Sequence, residues 1–538
     1  MVHVAAVTTI GDVLVRAARD RPDHVGLVLP GERHTYRTVH QRSVEVARSL
    51  RAMGVRRGDP VGLLLPNCSD FVFAFFGAAL LGAVVVPINA RFKRRELAHV
   101  IPDADLKVLL TSDIVADHVD FVALLHDSLP TLADAADPLA LGLDEAPALQ
   151  SVVLFGQRRP DGMVSQAEFV ALGTDVDPGE IEFERLRVRL RDTGLMPYTS
   201  GTTSQPKGCI LTHEAVVRDW FAAGERFEIG PDDVFWDPCP MFHMSGIGPM
   251  LFTFGVGGTF VTLTHFEPGM AVRQLEEELP TIIYPTFPPI TMALFRHPDF
   301  SAERFPQVRA MLNVAPPDTL RLMQEALPQA TQISCFGLTE GAGVISFNSL
   351  DEELATRLDT TGPPLPGVEV QVVDEVTGAP LGPDQPGELC IRGYNVFLGY
   401  HKDAEKTTQT IDEDGWAHTG DRGSLDPEGR IRYLGRVKDM LKVGGENVAP
   451  SEIESHLSTH PDVHMVAVVG RPDERYVEVP VAFVELSAGA TASAEDLVEY
   501  CRGELASFKV PREVRFLTEW PLSATKIQKF RLRELLAE

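Results

Sequence analysis

Positive charge is in short supply. The chain sets 49 lysines and arginines against 76 aspartates and glutamates, a formal net charge of -27. Nucleic acid and anionic membrane surfaces are thereby excluded as partners, since both demand an excess of Lys and Arg. Cysteine is scarce as well: Cys68, Cys209, Cys239, Cys335, Cys390 and Cys501 are scattered through 538 residues. None is paired at metal-ligand spacing, which argues against zinc and against a disulfide framework and predicts buried thiols. No basic stretch, apolar core and cleavage site open the sequence, so a secretion signal is not expected and a cytoplasmic location is. Fixed-period repeats and heptads are missing too. Phe71 to Ile88 is a run without charge, followed by Lys93, Arg94 and Arg95, and has the length of a membrane span. Gly77, Gly82 and Pro87 interrupt it, and the change from Phe, Ala and Leu to Val84-Val85-Val86 predicts a buried helix turning into a strand, with no stable membrane insertion.

What is present suits a large globular enzyme. At 538 residues the chain exceeds the size at which one core keeps growing, and its 44% apolar composition supports at least two domains. Helical periodicity alternates with short Val-rich runs, as in Ser43 to Leu50 before Val61 to Leu65, which predicts α/β layering. Residues 132–148, rich in Ala, Leu, Asp and Pro, are expected to form a loosely specified surface excursion. Turn signals at Thr377-Gly378, Gly382-Pro383-Asp384 and Gln385-Pro386-Gly387 separate β-rich segments near 368–373 and 388–392, which predicts a small β subdomain. Between Gly435 and Asp439 a strand-like Ile431 to Leu434 gives way to a polar turn. Beyond it the pattern restarts: Ser451 to Leu457 and Ala494 to Glu504 are expected as helices, Val463 to Val469 and Val479 to Leu486 as strands. The predicted organisation is a large, multi-subdomain α/β domain over 1–435 carrying the β subdomain, a hinge at 436–439, and an α+β domain over 440–538 that can move as a unit.

The segment Tyr198-Thr-Ser-Gly-Thr-Thr-Ser-Gln-Pro-Lys-Gly208 concentrates hydroxyls, two glycines and a lysine. Glycine lets backbone N–H groups form a concave anion nest, hydroxyls add donors and Lys207 a point charge, so the loop is suited to a polyphosphate. It is not a Walker loop, because Lys207 is preceded by Pro206 and followed by Gly208. This segment resembles the phosphate-binding signature of the adenylate-forming superfamily, which includes acyl-CoA synthetases, luciferases and peptide-synthetase adenylation domains. Further segments resemble the superfamily's other signatures in the same order: Pro240 to Gly246, Phe336 to Glu340, His418 to Asp421, Gly435 to Asp439, Gly444 to Asn447 and Pro521 to Lys526.

The resemblance implies an ATP- and Mg²⁺-dependent acid:CoA ligase that forms an acyl-adenylate and then an acyl-CoA thioester, with coenzyme A as co-substrate. It implies an ATP site made by Thr199, Ser200, Gly201, Thr202, Thr203, Lys207, Ala315, Phe336, Gly337, Thr339, Asp421, Tyr433, Arg436 and Lys526. Within it, Glu340 would hold Mg²⁺, Phe336 would stack on adenine in place of the usual tyrosine, and Asp421 would accept from the ribose hydroxyls. Lys526, from the last domain, would neutralise charge at the α-phosphate, with Lys529 as its fallback. Lys438 is the implied pivot, and Lys442, Gly444, Gly445 and Glu446 would meet CoA. The acyl pocket would be lined by Phe242, His243, Ser245, Gly246, Phe287, Val314, Leu338 and Val344, with His243 as an aromatic gate, a general base or a satisfied core histidine, the gate being favoured. These are mostly apolar, and Met244-Ser245-Gly246 offers no aspartate for an α-amine, so a fatty, aryl or steroid-type acid is expected. Two rivals are an adenylating enzyme that loads a separate carrier protein and a non-catalytic nucleotide-binding relative. A homodimer is also compatible with the sequence.

Overall fold

The computed structural model describes residues 8–199, 205–443, 446–473, 476–502, 504–523 and 526–537. Two seven-stranded sheets dominate the first four hundred residues. In one, Pro60–Leu64 lies between Val84–Pro87 and Val108–Ser112, all parallel, as expected for short Val- and Leu-rich runs buried on both faces. In the other, Thr331–Ile333, Ala310–Asn313, Ile282–Thr286, Val234–Trp236 and Thr259–Val261 run parallel and side by side. The β-rich segments flagged in the sequence form a separate four-stranded antiparallel sheet of Val368–Val373, Gly387–Gly393, Ala417–Leu425 and Ile431–Arg436.

The helices form the main core. Ser69–Leu80 buries every residue from Phe71 onward, and the chain then enters Val84–Pro87, so the uncharged run is the predicted helix and strand. Phe71, Phe75 and Phe76 are fully buried, each worth about 1.5–3 kcal/mol of apolar transfer. Among the described residues no helix is long and apolar enough to cross a membrane. All six cysteines are buried free thiols.

Two further helices meet at close range. Met244–Val256 packs on His213–Arg226, and a Cβ on Gly248 would fall inside the indole of the buried Trp220. Gly248→Ala is expected to overpack this contact and destabilise the N-terminal domain by about 1–3 kcal/mol. The measurement is the urea midpoint of that domain; an unchanged midpoint would refute the claim that the helices are in contact at their limit.

Two expectations need correction. Residues 132–148 hold only a short Leu132–Asp134 turn, but the segment is not loose: Leu132, Leu141, Leu143 and Ala146 are buried in a core cluster with Leu106 and Leu125. The helix expected over Ala494 to Glu504 ends at Cys501, where Arg502 is already extended, one residue before the helix-breaking Gly503. The last module otherwise matches the restart of the pattern. Val463–Asp473 and Val477–Leu486 pair antiparallel, Glu513–Phe516 joins parallel to the latter, and Pro450–Ser458 and Ala494–Cys501 share their core.

Candidate active site

The phosphate-loop segment is closed by a small hairpin. Tyr198–Thr199 pairs antiparallel with Lys207–Gly208, which brings Thr199 opposite Lys207. Ser200, Gly201, Thr202 and Thr203 lie outside the described residues. The hairpin is pinned from below by Tyr198, whose Oη donates to Asp103 Oδ2 at 2.6 Å. From the side, Ile210 N donates to Gly399 O and His401 N to Gly208 O, at 3.0 and 2.8 Å. Lys207 Nζ lies 2.6 Å from Asp403 Oδ2 and sits over the Tyr400 ring, 5.6 Å from its centre. Tyr400 Oη in turn donates to Glu340 Oε1 at 2.8 Å.

Glu340 belongs to the Thr339–Gly341 turn that follows Cys335–Phe336, a strand paired with Ser346–Phe347. Gly337 permits this tight return: a Cβ there would coincide with the Gly343 carbonyl. The Phe336 ring stacks on Tyr433, with centres 5.6 Å apart and planes at 29°. Tyr433 Oη donates to Asp421 Oδ1 at 3.4 Å, and Arg436 Nε reaches the same oxygen at 2.9 Å. Asp421 is 2% exposed, its N–H bonded to Thr419 Oγ1 at 3.0 Å, and Arg436 Nη1 donates to Thr419 O. The structure therefore brings Phe336, Tyr433, Asp421 and Arg436 together into one aromatic and charged shelf.

Sequence reasoning missed what steadies this shelf. Glu388, on the neighbouring strand, accepts from Gly420 N at 2.9 Å with one oxygen and contacts His418 Nδ1 at 2.9 Å with the other. Cys390 Sγ lies 3.4 Å from the same nitrogen, so two ligand-type side chains of one strand, Glu388 and Cys390, converge on His418 of the next, which engages both. Glu388 fixes the backbone at Gly420, whose positive φ bends the Ala417–Leu425 strand just before Asp421. Glu388 pairs with Arg422 in the antiparallel ladder, a register that the structure supplies and no local sequence pattern announces.

The expected acyl-pocket residues share a structural origin. Phe242 to Gly246 follow Val234–Trp236, Phe287 follows Ile282–Thr286, Val314 and Ala315 follow Ala310–Asn313, and Leu338 follows Thr331–Ile333. These four strands are parallel neighbours, so the segments leaving their carboxyl ends line one crevice, the place where open α/β sheets bind ligands. Phe242 and Val344 are buried, Phe287 and Leu338 half-buried, and Val314 is exposed. His243 caps the Met244–Val256 helix: Ser245 N donates to its Nδ1 at 3.2 Å, and Ser245 Oγ lies 2.9 Å from the same atom. An Nδ1 that accepts a backbone N–H carries no proton, so this nitrogen is committed to holding the ring in place rather than to proton transfer. Behind Val344, whose N–H donates to Asp219 Oδ2 at 3.2 Å, burial pushes the Asp219 carboxyl well above the usual carboxylate range. Asp219 carries no motif and was not legible in the sequence.

The 436–439 segment is a single Val437–Asp439 turn. Burial pushes the Lys438 ammonium below its ordinary value, against the adjacent Asp439. Arg533 Nη2 binds Asp439 Oδ1 at 2.8 Å, Ser451 Oγ donates to Leu434 O at 3.2 Å, and Thr319 Oγ1 lies 2.8 Å from Ser458 Oγ. Lys442 is exposed on Leu441–Val443, whereas Gly444 and Gly445 lie outside the described residues, as does the side chain of Glu446. The backbone of Lys526 pairs with Ser523 in a short hairpin, and its side chain also lies outside the described residues. Lys529, the expected fallback, is instead held by Glu454 at 2.6 Å.

Residues 14–401 match the model of the AMP-binding enzyme family, and residues 452–526 that of the AMP-binding enzyme C-terminal domain. The chain belongs to the AMP-binding enzyme family. It is 32% identical over 535 residues to a Rhodococcus jostii CoA ligase for a methyl-dioxo-octahydroindenyl propanoyl group, covering 98% of each chain. It is 30% identical over 551 residues to the mitochondrial medium-chain acyl-CoA ligase of Rattus norvegicus, covering 98% of this chain and 88% of the relative. The crystal structure of the anthranilate CoA ligase AuaEII with anthranoyl-AMP matches with a TM-score of 0.84 at 26% identity, over 99% of this chain and 98% of that one. The enzyme is accordingly an acyl-CoA synthetase, an ATP-dependent acid:CoA ligase whose substrates are a small carboxylic acid, ATP and CoA. Its relatives are CoA ligases, so the carrier-protein alternative is not favoured.

The acyl-CoA synthetase has one carboxylate, Glu340, at the expected metal position. A single hard oxygen ligand fits Mg²⁺, which usually takes one or two protein carboxylates and completes its shell with phosphate oxygens and water.

Proposed function

We propose that the acid activated by this acyl-CoA synthetase is hydrophobic, of the fatty, aryl or steroid-type class. The observation that supports this is that the segments following four neighbouring parallel strands at their carboxyl ends carry Phe242, Phe287, Val314 and Leu338, while Phe242 to Gly246 bring no carboxylate for an α-amine. An ammonium buried there without a partner would cost several kcal/mol, on the order of the penalty for an unpaired charge. Two relatives named for a medium-chain acyl group and for a fused-ring propanoyl group support the same reading.

The reaction proceeds in two halves. A carboxylate oxygen of the acid attacks the α-phosphorus of ATP and pyrophosphate leaves; the CoA thiol then attacks the acyl carbon and AMP leaves. In the first half Thr202, Thr203 and Lys207 hold the terminal phosphates, Phe336 and Tyr433 flank the base, and Asp421 accepts from the ribose, oriented by Arg436. Thr339 contacts the α-phosphate, and Glu340 would hold Mg²⁺, which when bound would neutralise phosphate charge. Lys526 meets the charge that develops at the α-phosphate. His243 gates the passage between acyl pocket and thiol. In the second half the module beyond 439 rotates about Lys438, withdraws Lys526 and brings Lys442 and Gly444 to Glu446 to CoA.

A panel of carboxylic acids tests this reading. Medium-chain fatty, aryl and fused-ring acids are expected to release pyrophosphate and, with CoA, to yield AMP and the matching thioester in equal amounts. Turnover restricted to amino acids or short dicarboxylates would overturn the substrate class, and pyrophosphate release without thioester would overturn the acceptor.

A further inference from the structure

We propose that the 397–403 segment is a positioning element for adenylation, with Tyr400 and Asp403 as the residues that aim the two charged groups facing the triphosphate. This rests on Lys207 and Glu340 acting as assigned above, and it adds two residues that no motif of the sequence singled out.

The segment is bonded to both groups through its backbone. Phe397 N donates to the Glu340 carbonyl at 2.8 Å, Leu398 N to Ile210 O at 2.8 Å, and His401 N to Gly208 O at 2.8 Å. The phosphate-loop hairpin and the Glu340 turn, remote in sequence, are therefore fixed to one short piece of chain. The side chains complete the link. Tyr400 Oη donates to Glu340 Oε1, which commits one carboxylate oxygen and sets the plane of the other. The ring of the same tyrosine lies under the Lys207 ammonium.

Asp403 does two jobs with two oxygens. Oδ1 accepts from Lys406 N at 2.9 Å and caps the Ala404–Thr410 helix, which anchors the side chain. Oδ2 holds Lys207 Nζ at 2.6 Å. A lysine has a long flexible stem, and an anchored counter-charge confines its ammonium to the mouth of the loop it serves. The plainer alternative is a structural staple that merely joins loop and turn, and it predicts that every step falls together when the contacts are cut.

Tyr400→Phe keeps the ring and removes the O–H; Asp403→Asn keeps the cap and removes the charge. Three measurements on the full chain decide. Binding of Mn²⁺ with a non-hydrolysable ATP analogue is read by electron paramagnetic resonance, ATP–pyrophosphate exchange by label, and thioester formation from supplied acyl-adenylate by CoA consumption. Tyr400→Phe is expected to raise half-saturating Mn²⁺ about tenfold, and Asp403→Asn half-saturating pyrophosphate about tenfold, the size of one charge-assisted hydrogen bond. Thioester formation is expected to be unchanged in both. Wild-type half-saturations, or equal loss of all three readouts, would overturn the proposal. Lys207→Ala and Glu340→Gln separate it from the reading beneath: if these two lose exchange while Tyr400→Phe and Asp403→Asn behave as wild type, positioning alone falls. If all four behave as wild type, both fall.

Discussion

Lys526→Ala is expected to slow acyl-adenylate formation by about 10²–10³-fold, the loss typical of removing one preorganised electrostatic stabiliser. Thioester formation from supplied acyl-adenylate is expected to continue at the wild-type rate. The chemistry gives the reason: attack on the α-phosphorus gathers negative charge at the bridging oxygens, whereas the thiol step has no such demand. An ammonium is compact and mobile, so one lysine can serve the first step and leave before the second. The fold supplies it on a firm base. The Leu522–Ser523 and Lys526–Ile527 hairpin leads into the Lys529–Ala537 helix, whose fully buried Leu532 packs with Val469, Val481 and Phe483. Lys529 offers no substitute, because Glu454 already binds it. Pyrophosphate exchange and thioester formation measured separately on the variant decide the matter. Equal loss of both would end the division of labour between the two halves.

The expectation for that lysine rests on neighbours that form an ordered signature, and the same holds for Asp421 and Phe336. Local pattern also specified the buried helix at Ser69–Leu80 and most of the last module, since apolar periodicity is a property of adjacent residues. Sheet order was not legible. That Ile282–Thr286 lies between Val234–Trp236 and Ala310–Asn313 depends on long-range packing, and so does the crevice those strands define. For the same reason Asp403, 196 positions from Lys207, gave no hint of its partner, and Glu388 none of its hold on Gly420. The error over residues 132–148 had another origin: the composition is that of a loop, and single leucines that drop into a core leave no period to detect.

Lys438→Pro should do the converse of Lys526→Ala, retaining pyrophosphate exchange and losing about 100-fold or more in thioester formation, the scale of loss when reacting groups are misplaced by an ångström or so. Proline fixes its own φ near -65° and biases the preceding residue away from helical angles. Here that residue is Val437, the first of the Val437–Asp439 turn, so the substitution acts on the whole connection between the Ile431–Arg436 strand and Leu441–Val443. Among the described residues the hydrogen bonds and ion pairs across this connection include Arg533 with Asp439, Ser451 with Leu434, Thr319 with Ser458, Ser455 with Asp318 and Arg296 with Ser487. Such contacts are cheap to exchange for water, which is what a rotating module requires. The backbone is then the part that must absorb the change in angle, and restricting it traps one pose. If Lys438→Pro forms thioester from supplied acyl-adenylate at the wild-type rate, the module does not turn at this residue, and the second half-reaction must be reached by movement elsewhere in the chain.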